Sequence, residues 1–277
     1  MTIAKIPLVA VLGSPVAHSK SPFLHGYWLA KYNISGYYLP IDISSDNLEK
    51  ALKTMPHMGF VGANVTLPHK EKVLSIADNI SDRAALIGAA NTLVFQPDGK
   101  IYADNTDGYG FIENIRQHAP QWRASEGPAL VLGAGGAARA VVSALIEAGV
   151  QEVLVANRTR SRAEQIQSDF GARVNVIEWV KAAEEISFAN TLVNTTSLGM
   201  IGKPKLNLSL TGLKSATLVT DLVYTPLETD LLCKAREVGC AVVDGLGMLI
   251  HQAVPGFERW FGHKPIVDQK VRDILIS

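Results

Sequence analysis

Four consecutive apolar residues, 129–132 (ALVL), run directly into Gly133-Ala134-Gly135-Gly136-Ala137-Ala138, a GxGxxA pattern. Behind it Ala138, Val141, Val142, Leu145 and Ile146 recur at the spacing of an amphipathic helix, and Gly149 stops that helix before a second apolar run at 152–156. Strand, glycine turn, helix and strand in this order predict a Rossmann dinucleotide-binding unit. The first glycine permits the tight turn, the second lets backbone amides approach a pyrophosphate, and Ala138 lets helix and strand pack closely. The competing reading, a small-residue helix on a sheet with no ligand, leaves the intact order unexplained.

The end of the second strand selects the dinucleotide. An NAD site places a carboxylate about 20 residues beyond the loop, on the ribose hydroxyls. Here the chain reads Asn157-Arg158-Thr159-Arg160-Ser161-Arg162, with no acid before Glu164. A 2′-phosphate wants fork-shaped cationic donors and no adjacent anion, so the expected cofactor is NADP. Arg158 is the first choice for that phosphate, with Thr159 and Arg162 in support and Arg160 facing water.

At roughly 150 residues per domain, 277 residues make one large domain or two ordinary ones. Short apolar runs alternate with helical patterns twice over, the signature of an α/β protein. Strands are expected at 8–12, 37–43 and 60–66, with helices opening at Ser21-Pro22 and at Asp46, each an N-cap. Residues 93–95, the turn Pro97-Asp98-Gly99 and residues 101–102 read as a hairpin, which adds an antiparallel portion. A helix from Asp107 to about Gln117 and a polar linker at 118–128 lead to the second series. Its strands are expected at 129–132, 152–156, 174–177, 191–194, 217–223 and 240–244. The remainder, 246–277, is helical and crosses back to complete the first domain. The expected domains are thus 1–107 with 246–277, and 108–245.

Composition excludes several classes. Lys plus Arg and Asp plus Glu are each 26, so no global field draws the chain to nucleic acid or an anionic membrane. The cysteines Cys233 and Cys240 are too few for a disulfide framework, no Cys/His cluster has metal spacing, and reduced thiols fit the cytoplasm. The apolar run at 7–12 is short for a signal-peptide core, and the region 128–150 carries Arg139 and Glu147, which a bilayer would penalise. Tyr27 and Lys31 form a YxxxK pair like that of short-chain dehydrogenases, but they lie far before the glycine loop rather than after it, so packing is their expected role.

Motifs in both halves carry a resemblance. They are Gly13-Ser-Pro-Val-Ala-His-Ser19-Lys-Ser21-Pro, Asn64-Val-Thr66-Leu-Pro-His-Lys70-Glu, Gly88-Ala-Ala-Asn91-Thr and Asp104-Asn-Thr-Asp107-Gly. They continue through the glycine loop with Asn157-Arg-Thr, Asn194-Thr-Thr-Ser-Leu-Gly-Met, Asp221-Leu-Val-Tyr224-Thr-Pro and Gly245-Leu-Gly-Met248-Leu-Ile-His-Gln252. In their order and nearly whole-chain extent they resemble the shikimate dehydrogenase family. The resemblance implies an α/β fold of two domains, an N-terminal α/β substrate domain with a mostly parallel mixed sheet and a C-terminal Rossmann domain. It implies reversible NADPH-dependent reduction of 3-dehydroshikimate to shikimate, in aromatic amino-acid (chorismate) biosynthesis.

By the same resemblance Lys70 and Asp107 are catalytic, and Ser19, Ser21, Asn64, Thr66, Asn91, Tyr224 and Gln252 bind substrate. The cofactor set is Gly133, Ala134, Gly135, Gly136, Ala137, Asn157, Arg158, Thr159, Arg162, Thr195, Thr196, Leu222, Gly245 and Met248, with no metal. Lys70 follows a predicted strand end, where α/β sheets place ligands, and Asp107 opens a helix, where the dipole favours a carboxylate. Ser19 and Ser21, at i and i+2, share a face if the chain is extended there, and they offer a carboxylate neutral hydroxyl donors. Ser14 stands where many relatives have Asn, and His69 where an apolar residue is common; both read as tolerated variants. The expected partner is a small molecule, neither nucleic acid nor membrane, and the chain either acts alone or pairs as a homodimer. Competing readings are a dual-specificity quinate/shikimate dehydrogenase and a non-catalytic NADP-binding regulator.

Overall fold

The computed structural model describes residues 6–276. The chain divides into two compact units, one taking it up to Thr106 and again from Gln252 onward, the other taking Asp107–His251.

In the first unit β1 (Leu8–Gly13) is followed by α1 (Ser21–Lys31), β2 (Tyr37–Asp42), α2 (Leu48–Thr54) and β3 (Phe60–Val65). Then come β4 (Asn79–Ile80), α3 (Asp82–Ile87), β5 (Thr92–Phe95) and β6 (Ile101–Asp104). The strands form one sheet in the order β2-β1-β3-β5-β6-β4. Strand β1 is parallel to β2 and β3, β4 is parallel to β6, and β5 is antiparallel to both neighbours. This is the mixed sheet that the hairpin predicts. Because β5 is reversed, its first residue, Thr92, sits opposite Asn64 near the end of β3 and Asp104 at the end of β6. One edge of the sheet therefore gathers the residues after β1, β3 and β6 and the residue before β5.

The alternation of β1 assigns its two faces. Ala10 and Leu12 pack with Leu48 and Leu52 of α2, while Val9 and Val11 pack with Val16, Tyr38 and Trp260.

The second unit opens with α4 (Asp107–His118), β7 (Ala129–Leu132), α5 (Gly136–Ala148), β8 (Val153–Ala156), α6 (Arg160–Phe170) and β9 (Val174–Ile177). It continues with α7 (Ala182–Glu185), β10 (Thr191–Asn194), β11 (Leu218–Asp221), α8 (Asp230–Val238), β12 (Ala241–Val243) and α9 (Gly245–His251). The sheet is wholly parallel, in the order β12-β11-β10-β7-β8-β9, so the strand order reverses between β10 and β7. Both faces are covered, as a parallel sheet requires. Val131, Val155 and Val193 pack with Val141 and Leu145 of α5, and Leu130, Leu132 and Leu192 with Ile186 and Leu232 on the other face.

From Gln252 the chain supplies α10 (Ala253–Phe261) and α11 (Gln269–Ile276) to the first unit. Trp260 Nε1 donates to the Leu93 carbonyl at 2.8 Å. Gly62 leaves room for that indole, since a Cβ there would lie 2.0 Å from Trp260 Nε1. Arg259 Nη1 donates to Asp104 at 2.7 Å, beside the bidentate contacts of Arg83 at 2.7 and 2.5 Å and the Ser81 hydroxyl at 2.7 Å. Burial alone would raise the Asp104 carboxyl, but these donors outweigh it and hold it at about 2.

Several local expectations are corrected. Ser21 is not an N-cap: Lys20 takes that position in a helical conformation, and Ser21 is the first helical residue. Asp46 likewise yields the cap position to Asn47, whose side chain donates to Ser44 instead. The stretch 118–128 is more than a linker, because Trp122 Nε1 donates to Thr191 Oγ1 at 2.9 Å and ties it to the second sheet. Helix α3 starts at Ser81, which accepts from Ala84 N at 3.2 Å, and stops at left-handed Gly88, ordinary start and stop signals. Lys31 of the YxxxK pair donates to Asp268 at 2.7 Å in an exposed ion pair.

His25, on α1, is wholly buried with neither ring nitrogen hydrogen-bonded among the described residues, and burial pushes its imidazole down to about 3. An unfolded histidine binds its proton near pH 6.5, so between about 6.5 and 3 the unfolded chain holds a proton that the folded chain refuses. That contribution to stability is therefore complete above about pH 6.5 and declines as pH falls. Urea unfolding of the natural chain is expected to lose about 1.4 kcal/mol per pH unit more over pH 6 to 4 than unfolding of His25→Leu; equal slopes would show that the buried imidazole takes up its proton in the folded state.

Candidate active site

The polar edge of the first sheet is built from residues that three strands and one helix deliver. After β1 the chain turns at Lys20 rather than running extended, so Ser19 and Ser21 are brought together by that turn: Ser21 N donates to Ser19 Oγ at 3.3 Å. Ser14, earlier in the same loop, donates to Asp42 at the end of β2 at 2.8 Å. Thr66 follows β3, and its amide donates to the Leu12 carbonyl at 2.9 Å, which holds the loop carrying Lys70 against β1. Ala90 N donates to the Lys70 carbonyl at 2.8 Å, joining that loop to the segment before β5. His69 is buried, and its Nε2 lies 2.8 Å from the Ile43 carbonyl, which only accepts, so this nitrogen carries the proton. His69 thus anchors the loop after β2, a structural use of the variant position.

Asn91 is the hub of this edge. Its Oδ1 accepts from Thr106 N at 2.9 Å, Thr106 Oγ1 at 3.1 Å and Thr92 Oγ1 at 3.0 Å, while its Nδ2 donates to Gln252 Oε1 at 3.1 Å. Asn64 Nδ2 donates to the Asn91 carbonyl at 2.9 Å and to Thr92 Oγ1 at 3.3 Å. Buried amides must be paired, so each bond also fixes the orientation of its partner. Of the residues expected to bind substrate, Ser19, Ser21, Asn64, Thr66, Asn91 and Gln252 all belong to the first unit, as does Lys70. Tyr224 belongs to the second unit, as does Asp107, the buried first residue of α4.

In the second unit the glycine loop lies at the end of β7, beside β10, where the strand order reverses and open α/β sheets bind their ligands. Gly133 is at φ +110° and its amide donates to the Ala156 carbonyl at 2.8 Å. Helix α5 starts at Gly136 with Gly135 as its cap, and its first turn carries no acid. The first backbone bond there runs from Arg139 N to Gly135 O, so the amides of Gly136, Ala137 and Ala138 precede the helical ladder. A Cβ on Gly135 or Gly136 would meet nothing within 4 Å, which leaves the approach to these amides open. Ala134, by contrast, is buried.

The cations after β8 sort themselves by pairing. Arg160 donates to Glu164 at 2.8 Å, and Arg139 pairs with Asp169 at 2.6 Å. Arg158 and Arg162 are exposed, and neither forms an ion pair with the described residues. Asn157 Nδ2 donates to the Thr159 carbonyl at 2.8 Å and shapes the turn that presents them. An open run of helix amides beside two uncommitted guanidiniums fits a dinucleotide with an extra phosphate.

The loops after β10 and β11 complete this side. Thr195 Oγ1 donates to the Leu132 carbonyl at 2.7 Å, which brings Thr195 against the glycine loop. Asn194, Asp221 and Thr229 stand out only in the structure as a locking group: Asn194 Nδ2 and Thr229 Oγ1 donate to the Asp221 carboxylate at 2.9 and 2.8 Å, and Thr196 Oγ1 donates to Asn194 Oδ1 at 2.7 Å. Burial pushes the Asp221 carboxyl up, against the lowering effect of these donors. Gly245 is placed directly on Leu222, whose carbonyl would lie 2.2 Å from a Cβ there. Asn114 on α4 donates to the Asp244 carbonyl at 2.7 Å and so positions the start of α9, which carries Met248. Among the described residues no group of acids, histidines or cysteines could hold a metal, and no helix is long and apolar enough to cross a membrane.

Known proteins match this chain over nearly its whole length. Residues 11–93 match the family described as the shikimate dehydrogenase substrate binding domain, 116–221 shikimate / quinate 5-dehydrogenase, and 245–269 the shikimate 5'-dehydrogenase C-terminal domain. The shikimate dehydrogenase (NADP(+)) of Roseobacter denitrificans is 61% identical over 277 residues, 100% of both chains. Among solved structures, a shikimate 5-dehydrogenase from Thermus thermophilus in complex with NADP(H) and shikimate is 38% identical, with a TM-score of 0.85 over 98% of this chain and 99% of its own. A quinate dehydrogenase from Corynebacterium glutamicum in complex with NAD is 32% identical, with a TM-score of 0.90 over 98% of this chain and 99% of its own.

Gly133 has two reasons to be glycine, its positive φ and the 2.5 Å that would separate a Cβ from Thr195 Oγ1. Gly133→Ala is expected to lower the urea unfolding free energy by roughly 1–3 kcal/mol, the usual cost of a strained non-glycine backbone. A loss below about 0.5 kcal/mol would mean that Thr195 gives way freely.

Proposed function

The chain belongs to the shikimate dehydrogenase family, and from that premise we propose that it reduces 3-dehydroshikimate to shikimate, reversibly and with NADPH, in the biosynthesis of aromatic amino acids. The observation that carries this reading is the network of amides and hydroxyls at the polar edge of the first sheet, together with Arg158 and Arg162 of the second unit, which form no ion pair with the described residues. A ring with several hydroxyls and one carboxylate suits amides and hydroxyls held by Asn91, and a 2′-phosphate suits free guanidiniums.

Ser19 and Ser21 receive the carboxylate, supported by their position at the start of α1, whose first amides favour an anion. Asn64, Thr66, Asn91 and Gln252 receive the ring hydroxyls, and Tyr224 is a further substrate-binding residue. Gly133, Ala134, Gly135, Gly136 and Ala137 cradle the pyrophosphate, and Arg158, Thr159 and Arg162 take the 2′-phosphate beside Asn157. Thr195, Thr196, Leu222, Gly245 and Met248 line the nicotinamide end. When bound, NADPH supplies the hydride. Lys70 and Asp107 are the residues that handle the proton at the carbonyl oxygen that becomes the ring hydroxyl, with Lys70 as its donor. The free thiols Cys233 and Cys240 support a cytoplasmic location. Pairing of two copies into a homodimer is the remaining part of this reading, and light scattering on the purified protein decides it.

Quinate is the second substrate to consider, given the similarity to a quinate dehydrogenase bound to NAD. Against it stand the two unpaired arginines, which fit NADP. Turnover of shikimate and quinate, each with NADP and NAD, separates the readings: faster oxidation of quinate with NAD would overturn the proposal.

Lys70→Ala is expected to lower kcat by roughly 10² to 10⁴, the usual worth of a positioned proton-transfer group, with a smaller change in substrate affinity. An unchanged kcat would remove Lys70 from the chemistry. Arg158→Ala is expected to raise KM for NADPH and shrink the preference over NADH by about tenfold or more, as loss of a charge-assisted pair implies. Equal discrimination in the two proteins would assign the phosphate elsewhere.

A further inference from the structure

Tyr38 lies on β2, in no motif that the sequence singles out, and it is buried behind the polar edge. Its phenol oxygen is 2.6 Å from Asn64 Oδ1. The direction of that bond is forced. Asn64 Nδ2 faces the Asn91 carbonyl, which only accepts, so the nitrogen of the amide is identified and its oxygen must face Tyr38. Two oxygens 2.6 Å apart need one hydrogen, and the phenol supplies it. Burial pushes the Tyr38 phenol well above its ordinary range, so it stays protonated and remains a donor. With the phenol hydrogen committed to Asn64, the polarity runs from Tyr38 to Asn64 and on to Asn91 and Thr92.

We propose that Tyr38 is a positioning residue of the substrate site: its phenol orients the Asn64 amide so that the remaining oxygen lone pair receives a ring hydroxyl. This rests on the reading of Asn64 as a substrate contact. Both amide hydrogens of Asn64 are spent on Asn91 and Thr92, so Asn64 accepts from substrate and does not donate. The ring itself is held flat. His25 stacks on it with centroids 4.0 Å apart and planes 3° from parallel, and Trp28, Phe257 and Trp260 pack around the imidazole. With no hydrogen bond to its nitrogens among the described residues, His25 serves as a rigid face that aims the phenol.

A double-mutant cycle with Tyr38→Phe and Asn64→Ala tests this. Phenylalanine keeps the stacked ring and removes only the hydroxyl, leaving the buried Asn64 oxygen without its donor. Tyr38→Phe is expected to raise KM for shikimate about fivefold, the worth of one hydrogen bond, with kcat and KM for NADP changed less than about twofold. Adding Tyr38→Phe to Asn64→Ala is expected to change KM no further, because the phenol acts through the amide. A silent Tyr38→Phe beside an Asn64→Ala that raises KM, or fully additive effects, would overturn this proposal alone. An Asn64→Ala with normal KM for shikimate would overturn the substrate reading as well. Should Tyr38→Phe fail to fold, 3-fluorotyrosine at position 38 keeps the shape and strengthens the donor, and an unchanged KM for shikimate would overturn the proposal there too.

Discussion

A buried amide with no partner is among the more expensive things a fold can contain, and the first unit places two of them, Asn64 and Asn91, side by side at a sheet edge. Their satisfaction requires β3, β5, the end of β6 and Gln252 to be in place together, because each supplies a different donor or acceptor. A change of register in any of these strands leaves several groups unpaired at once. The network therefore fixes the backbone around Lys70 and up to Thr106, one residue before Asp107. On the proposed reading, recognition of ring hydroxyls by these amides needs this rigidity, since neutral hydrogen bonds discriminate only when their geometry is set beforehand.

The second unit solves a different problem with the same economy. The groups proposed to hold its ligand are mostly backbone amides, and amides are aimed by the path of the chain. The turn at Gly133, the Thr195 contact with Leu132 and the Asn194–Asp221–Thr229 lock hold the loops after β7, β10 and β11 in place. Specificity within that frame falls to a few side chains. Arg158 and Arg162 are left unpaired while Arg139 and Arg160, close to them in the chain or the fold, are taken up by carboxylates.

The Rossmann half was the more legible because its elements are regular and its motif is local: strand, glycine turn, helix and strand are contiguous, and each residue's reason is found within a few positions. The reversed β5 was legible for the same reason, through the turn at 97–99. What the sequence left out, or assigned otherwise, depends on partners distant along the chain. Ser21 looks like an N-cap until Lys20 adopts a helical conformation and Ser19 takes up the Ser21 amide. Trp122 reads as linker until its indole meets Thr191. Asp104 reads as one acid in a motif, yet two arginines from separate helical segments converge on it.

Sequence alone determined the alternation of strands and helices, the glycine loop, the cation-rich turn that favours a phosphorylated cofactor, and through its motifs the family. Those features are encoded by periodicity, by backbone freedom and by residue chemistry, all of which survive in one dimension. Tertiary structure decided which amide faces which carbonyl, which arginine stays unpaired, and that Tyr38 and His25 stand behind the polar edge. Hydrogen-bond direction and ion pairing are properties of distance and burial, and only the folded chain brings Tyr38 and Asn64 within reach of one another.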